Sequence, residues 1–458
     1  MLYLGAFWCG FCQRMDEGAL SDDENIALLN AYFVPVRAEN AKRPDIDVRY
    51  NRHGWPTIAF MTPQGGLLAT TNYLPPEEFG DLLALVVDGY QNRKGETPEG
   101  AAGPAKATDR ARQGRIRSAA VAEISDLLME LADGVHGGYG RGQKFPHPEA
   151  NDLLLRRYQA TGEPRYLEHV CRTLDRMRES PIHDREEGGY YRTSSGQDWS
   201  EPQREKLLAD QAGLLGNCLG AFRITKRSAY GDMAEGIIDY INRNLSDSSR
   251  GGFYGCQDYI RASSGEPSEK FFSILDDCIY TDANAQAIAA YLEAASILGG
   301  SDCQERALKA LGFLRDRCAN PEGGMFHYFD GAPQMPGLLG DQAHVGRAFL
   351  RAHRASGDAT YLERATELAE FILARFTNPA GGYYDLCLEG PAYLRFRLTL
   401  LEQNGAAAAF FLKLAEITGK PRYREAALWA LGAFTGEFSR YGVHAAGFGQ
   451  ALADFINS

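Results

Sequence analysis

Apolar residues change their spacing twice along the chain. Over residues 1–92 they fall in short runs and alternating stretches broken by Gly, Pro and polar clusters, the pattern of a small α/β domain. An apolar run from Leu2 leads into Trp8-Cys9-Gly10-Phe11-Cys12 and a helical segment. Glu24–Tyr32 reads as a helix, Phe33–Arg37 as a strand and Pro44–Tyr50 as a helix or turn. A strand ending at Met61, a turn at Pro63–Gly66, a strand over Leu67–Thr71 and a helix over Pro75–Tyr90 complete the set. Residues 93–115 are polar, rich in Gly, Pro and Ala, and aperiodic, as a linker is.

From residue 116 to 458 the spacing becomes helical and repeats. Gly-Gly turns recur at Gly137-Gly138-Tyr139, Gly188-Gly189-Tyr190, Gly251-Gly252-Phe253, Gly323-Gly324-Met325 and Gly381-Gly382-Tyr383. Between them a second turn recurs, at Thr161–Tyr166, Thr225–Tyr230, Ser356–Tyr361 and Thr418–Tyr423, with Leu298-Gly299-Gly300 as a degenerate copy. Its Tyr is placed to pack the incoming helix on its partner. The unit is a helix, a short turn, a second helix and a long Gly-Gly loop, which is a repeat architecture. Twelve helices are predicted, near 117–133, 148–161, 164–180, 205–225, 228–246, 281–299, 301–319, 338–357, 359–377, 400–418, 421–439 and 446–457. Alternate helices are apolar nearly all round, as Asn284–Leu298 and Asn404–Ile417 are, and their partners carry charge on one face. The last helix would pair with the first and close an (α/α)6 toroid. The fold class is therefore α+β multidomain: a minimal α/β domain (1–92), a linker (93–115) and an all-α (α/α)6 toroid (116–458).

Composition narrows the partners. The net charge of −12 lacks the basic face that nucleic acid requires. No apolar run approaches the ~20 residues that span a bilayer, and the dithiol motif lies too close to Met1 for a signal peptide to precede it. Of nine cysteines only Cys9 and Cys12 are closely spaced, which points to a reducing compartment. A cytoplasmic protein without membrane partner, nucleic acid, metal or cofactor is expected.

Two sets of residues carry candidate chemistry. The first is Cys9 and Cys12, because a strand delivers the chain to a turn where the first Cys caps the next helix. Zinc also uses Cys-x-x-Cys, but it needs four ligands and the chain has no second such pair. Cys9 would attack and Cys12 would resolve, with Trp8 beside them. The second set lies at the starts of the inner helices. Counting fifteen residues back from the second turn aligns Asp210, Asn284, Asp341 and Gln403, with Gln211, Asp282, Gln342, Glu402 and Asn404 beside them. His147, His344 and His444 fall in or near this layer, and Trp199, Tyr191, Tyr254, Phe326, Tyr328 and Tyr384 come from the loops. Carboxylates, amides and aromatics around a funnel suit a sugar. Two carboxylates support hydrolysis, and two histidines support proton abstraction and return. Asp210, Asp341 and His344 are the expected catalytic groups. His147, Trp199, Gln211, Asn284, Tyr328, Gln342, Glu402 and Asn404 are the expected substrate contacts. Asp, Asn and Gln at helix starts are equally capping residues. His169, His183 and His353 read as surface or turn residues.

At Gly54-Trp55-Pro56-Thr57 the N-terminal domain resembles the thioredoxins, with Pro44, Tyr50 and Gly54 also matching over Arg37–Pro56. The resemblance implies a cis-proline at Pro56 facing the dithiol, with Trp8, Trp55 and Pro56 contacting the substrate. Tyr3 stands where thioredoxins bury an Asp, Gly10-Phe11 replaces Gly-Pro, Arg37 stands in place of a Lys, and the first strand and helix of the full fold are missing. Over the whole chain, the order of dithiol, Lys144-Phe145-Pro146, Gly-Gly loops, Glu205–Ala212, Tyr280–Ala285 and Gly340–Ala343 resembles the spermatogenesis-associated thioredoxin-domain family. That likeness implies a thioredoxin-like domain joined to a six-hairpin glycosidase-like toroid. The Cys-Gly-Phe-Cys here differs from that family's Cys-His-Trp-Cys type. Three functions are compatible: thiol–disulfide exchange with a toroid that binds a protein or sugar-like ligand, a sugar epimerase, isomerase or glycosidase with an accessory thioredoxin-like domain, or a scaffold with a vestigial dithiol.

Overall fold

The computed structural model describes residues 1–63, 65–92, 114–261, 271–390 and 396–458. Nearly all of the expected linker, 93–113, lies outside the described residues. Two compact units result, Met1–Asp109 with Leu388–Leu398, and Arg110–Cys387 with Thr399–Ser458.

In the first unit the elements are β1 (Leu2–Gly5), α1 (Gly10–Glu17), α2 (Asp23–Tyr32), β2 (Val36–Glu39), α3 (Pro44–Tyr50), β3 (Thr57–Met61), β4 (Leu67–Thr71) and α4 (Pro76–Asn92). The sheet runs β2-β1-β3-β4. β1 is parallel to β2 and antiparallel to β3, and β3 is antiparallel to β4. Because side chains alternate along a strand, β1 feeds two cores. Tyr3 packs with Ile58, Phe60, Cys12, Met15, Phe79 and Leu83 on one face. Leu2 and Leu4 pack with Ala59, Ile46 and Tyr50 on the other.

The second unit contains α5 (Ala120–Leu131), α6 (Pro148–Thr161), α7 (Pro164–Glu179), α8 (Leu208–Thr225), α9 (Ser228–Tyr240), α10 (Thr281–Leu298), α11 (Ser301–Phe313), α12 (Leu339–Ser356), α13 (Ala359–Arg375), α14 (Leu401–Thr418), α15 (Pro421–Gly432) and α16 (Ala446–Asn457). Helices α6, α8, α10, α12, α14 and α16 each pack on the next, and α16 returns to α6. Around this inner ring lie α7, α9, α11, α13 and α15, each against the inner helix before it, and α5 against α16. The toroid is thus closed as its repeats require. Its wall is not purely helical. The loops form a two-stranded ladder of β5 (Thr193–Ser194) and β6 (Pro202–Gln203), a sheet of β7 (Lys206–Leu207), β8 (Cys256–Arg261) and β9 (Phe271–Asp276), and a sheet of β10 (Ile279–Tyr280), β11 (Phe326–Asp330) and β12 (Ala332–Pro336). The helix expected from residue 205 therefore begins at Leu208, because Lys206 and Leu207 pair with β8.

Each Gly-Gly loop is built alike. An Asp or Asn opens it, and its N–H donates to the second glycine's carbonyl: Asp133 to Gly138, Asp184 to Gly189, Asp247 to Gly252, Asn320 to Gly324 and Asn378 to Gly382, at 2.9–3.1 Å. Glycine is required at Gly324, where φ is +75° and a Cβ would sit 2.3 Å from Phe371. In the last four loops the residue after the glycines is held at both backbone groups by an amide from the following inner helix. Gln211 accepts from Tyr190 N–H (3.0 Å) and donates to its carbonyl (2.6 Å). Asn284 does this for Phe253 (2.8 and 2.9 Å), Gln342 for Met325 (2.7 and 3.1 Å), and Asn404 for Tyr383 (2.8 and 2.9 Å). At the opposite end, Arg165, Arg227 and Arg422 donate to the hydroxyls of buried Tyr166, Tyr230 and Tyr423 at 2.7–2.8 Å, which fixes the outer helices at the second turn.

Candidate functional site

In the first unit Cys9 is the N-cap of α1 and is joined to Cys12 in a disulfide. The Cys12 N–H donates to Cys9 Sγ at 3.0 Å, so the helix start that would stabilise a thiolate points at the first sulfur. The Trp55–Pro56 bond is cis. Trp8 meets Trp55 edge-on with ring centroids 5.1 Å apart, so the loop before the disulfide and the loop before the proline are neighbours. Phe11 is 53 % exposed between the two cysteines and lies 5.6 Å from the Tyr73 ring. No acid lies at position 3: the Tyr3 hydroxyl donates to the Cys12 carbonyl at 3.3 Å. Burial raises the Tyr3 pKa, so this hydroxyl stays protonated. Arg37 is committed to Asp16 at 2.9 and 2.5 Å and stacks over the Tyr3 ring.

In the second unit the first turns of five inner helices, α6, α8, α10, α12 and α14, carry Glu149, Asp210, Asp282, Asp341 and Glu402. Groups on non-adjacent inner helices lie within electrostatic reach of one another. Glu149 on α6 feels Glu402 on α14. Deeper down, Arg347 on α12 feels Arg156 and Asp152 on α6 and Asp454 on α16. Glu149, Asp210, His344 and Arg347 are ringed by protein yet keep solvent-exposed surface, as groups lining a funnel do.

The groups at this mouth are displaced from their ordinary titration. Burial pushes Asp210 up to about 7, with Glu149 and Glu205 adding and Arg192 opposing. Its Oδ2 has no hydrogen-bond partner, nor has Gln403 Oε1. Burial raises Asp341 to about 6 against the pull of His327, whose Nδ1 lies 2.9 and 3.1 Å from its oxygens. Burial, then the Arg347 charge, lowers His344 to about 4. His147 and His444 approach with ring centroids 5.9 Å apart. Burial and the His444 charge lower His147 to about 4. The hydrogen bond to Glu402, at 3.2 Å, raises His444. Environments that push a pair apart mark an acid and a base.

Several residues expected in this layer have other positions. Gln211, Asn284, Gln342 and Asn404 are buried with both ends of their amides on loop backbone, so their polar atoms hold the fold rather than line the bore. Asn284 joins this set because Leu298, not Gly299, is the equivalent of Thr225, Ser356 and Thr418. Fifteen residues back therefore gives Ala283. Trp199 is fully buried, has φ +68°, and donates to the His136 carbonyl at 2.9 Å, so it packs the loop wall. Tyr328 lies on β11 with its ring 6.2 Å from Tyr280. His169 is buried against Tyr139, not at the surface, and His183 stacks on Tyr190. The sequence reading overlooked His327. Its signal was a histidine three residues after the second glycine of a Gly-Gly turn, where the other loops place Arg141, Arg192, Gly255 and Asp385. Asp282, His327 and Asp341 bring three possible metal donors within 4.8 Å of one another.

This arrangement, an (α/α)6 ring with acids and histidines at the helix starts, defines a class, and solved structures share the fold. The second unit resembles cellobiose 2-epimerase from Spirochaeta thermophila, with a TM-score of 0.60 and 14 % identity over 74 % of this chain and 94 % of that one. It likewise resembles a sugar epimerase from a ruminal bacterium (TM-score 0.57, 16 % identity, 69 % and 86 % coverage). Residues 1–103 match the family model Thioredox_DsbH, described as a protein of unknown function, DUF255. The likeness to spermatogenesis-associated thioredoxin-domain proteins holds: spermatogenesis-associated protein 20 of Rattus norvegicus is 29 % identical over 284 residues, covering 56 % of this chain. The match spans 36 % of that relative's length. No described helix is long and apolar enough to cross a membrane.

Proposed function

We propose that the first unit is a thiol–disulfide exchange module with Cys9 as nucleophile. The observation that carries this reading is the Cys12 N–H on Cys9 Sγ at the first turn of α1. A dithiol reductant first opens the Cys9–Cys12 bond and leaves two thiols. The Cys9 thiolate then attacks one sulfur of a substrate disulfide, forming a mixed disulfide and releasing a substrate thiolate. The Cys12 thiolate attacks Cys9 Sγ, re-forms the internal bond and releases the second substrate sulfur, so two electrons pass to the substrate and two protons follow. Exposed Phe11, with Trp8 and Trp55, offers an apolar seat for an extended chain. With dithiothreitol as reductant and insulin as substrate, intact protein should accelerate disulfide reduction, and Cys9→Ser should return the rate to that of dithiothreitol alone. A wild-type rate equal to that background sinks the proposal.

A second reading concerns the toroid and rests on His147 and His444. The fold shared with sugar epimerases supports proton transfer beside a sugar carbonyl. Neutral His147 takes a proton from the carbon next to an open-chain carbonyl, and protonated His444 returns one to the other face, with no net oxidation. Mannose, glucose and cellobiose in deuterated water should acquire deuterium at that carbon, read by proton NMR. His147→Asn should abolish the exchange. Absence of exchange in all three sugars argues against the reading.

A further inference from the structure

We propose that the toroid mouth holds one divalent transition-metal ion between Asp282, His327 and Asp341. The three donors come from three separate elements: the first turn of α10, strand β11 and the first turn of α12. They lie within 4.8 Å of one another. Bonds of ~2.0–2.2 Å to a shared ion would draw them slightly closer, a movement within the reach of side-chain rotation.

The arrangement is specific to these repeats. The two residues before each backbone-holding amide are Ala209-Asp210, Asp282-Ala283, Gly340-Asp341 and Glu402-Gln403. Among the described residues, only α10 and α12 are adjacent helices that bring their acids to one histidine. That histidine sits on a strand anchored on both sides, by β10 and β12. Asp341 and His327 are 1 % and 3 % exposed, while Asp282 is half-buried and opens toward solvent. The set is therefore rigid at its base and accessible from the bore. Two carboxylates held together away from water repel, and a cation between them offsets that repulsion.

Two further observations favour a cation. Glu149, Asp210 and Glu402 place further carboxyl groups in the first turns of α6, α8 and α14. His344, one turn beyond Asp341 on α12, lies within electrostatic reach of Asp282 and makes no described hydrogen bond or ion pair. One imidazole and two carboxylates, without sulfur, suit Mn²⁺, Fe²⁺ or Zn²⁺ better than Mg²⁺ or Ca²⁺. Bound there, such an ion would polarise a carbonyl oxygen. The ion goes beyond both functional readings, and its binding is measured without substrate.

The test is a titration of chelator-treated full-length protein with MnCl₂, followed by the loss of the free-ion electron paramagnetic resonance signal. Mn²⁺ prefers oxygen and nitrogen to thiols, so the cysteines do not compete. One ion should bind per chain. Asp282→Asn, at the half-exposed donor, and His327→Gln should each weaken binding by about tenfold or more, with folding checked by circular dichroism. No saturable binding, as a His327–Asp341 pair without metal would give, overturns the proposal. So does binding that persists unchanged in folded Asp282→Asn.

Discussion

The two units handle polar groups near their candidate chemistry in opposite ways. Beside the disulfide, Tyr3, Arg37 and Asp47 each have a partner. Tyr3 donates to the Cys12 carbonyl, Arg37 holds Asp16, and Asp47 takes the Trp55 indole N–H at 2.8 Å. At the toroid mouth, Asp210 and Gln403 keep orphaned oxygens, and acids and bases stand away from their ordinary titration. A disulfide at a helix start holds its reactivity in the sulfur bond and needs only a directed N–H. A proton-transfer site holds its reactivity in groups that the fold keeps from settling, and perturbed groups of that kind cluster at functional sites.

The same contrast recurs between adjacent residues of one helix turn. Asn404 closes two backbone hydrogen bonds, while Gln403 leaves an oxygen unmatched. The largest expected effect is therefore on stability. Asn404→Ala strands a buried N–H and carbonyl of Tyr383 and should cost about 3–5 kcal/mol in urea unfolding. Gln403→Ala should cost less than about 1 kcal/mol. Equal losses would erase the distinction between the residues that hold the loops and those that face the bore.

Next in size is Asp210. Its folded pKa, about 7, lies above the ordinary carboxylate value, so the folded chain binds more protons than the unfolded chain between pH 4 and 7. Stability from this group is present at low pH and is lost as pH rises through that window. Asp210→Asn should remove that slope and stabilise the protein at pH 8 by on the order of 2–4 kcal/mol. A variant that keeps the slope shows that the carboxyl is solvated. His147 runs the other way. Its folded value, about 4, lies below that of free histidine, so its contribution is lost as pH falls from 6.5 toward 4. Folded His147→Asn should flatten that acid limb in pH-dependent thermal unfolding.

The smallest effect is expected at Tyr3. Tyr3→Phe removes one hydroxyl–carbonyl bond and should cost about 1 kcal/mol, with insulin reduction unchanged within about threefold, or about 0.7 kcal/mol of barrier. A loss of tenfold or more would mean that this phenol moves the proton that thioredoxins assign to a carboxylate.

The legible parts of the sequence were those set by local pattern. Strand alternation, proline and glycine placement and the dithiol spacing identify the first unit, and the 3.6-residue period identifies the inner and outer helices, although the helix expected over 421–439 ends at Gly432. Contacts made across the sequence were not legible. Gln211, Asn284, Gln342 and Asn404 read as ligand contacts because a helix start shows which residues are polar but not which backbone they reach. Asn284 lay one position out of register because Gly299-Gly300 imitates the Thr-Gly turn one residue late. His327 escaped notice because it approaches Asp341 only when β11 pairs with β10 and β12.

The most direct test of the central claim is capture of the mixed disulfide. Cys12→Ser cannot resolve it, so the reduced variant incubated with a peptide disulfide should accumulate a one-to-one adduct on Cys9, located by peptide mass spectrometry. No adduct, or an adduct spread over Cys171, Cys303 and Cys387 with none on Cys9, would contradict the assignment of Cys9 as the attacking sulfur.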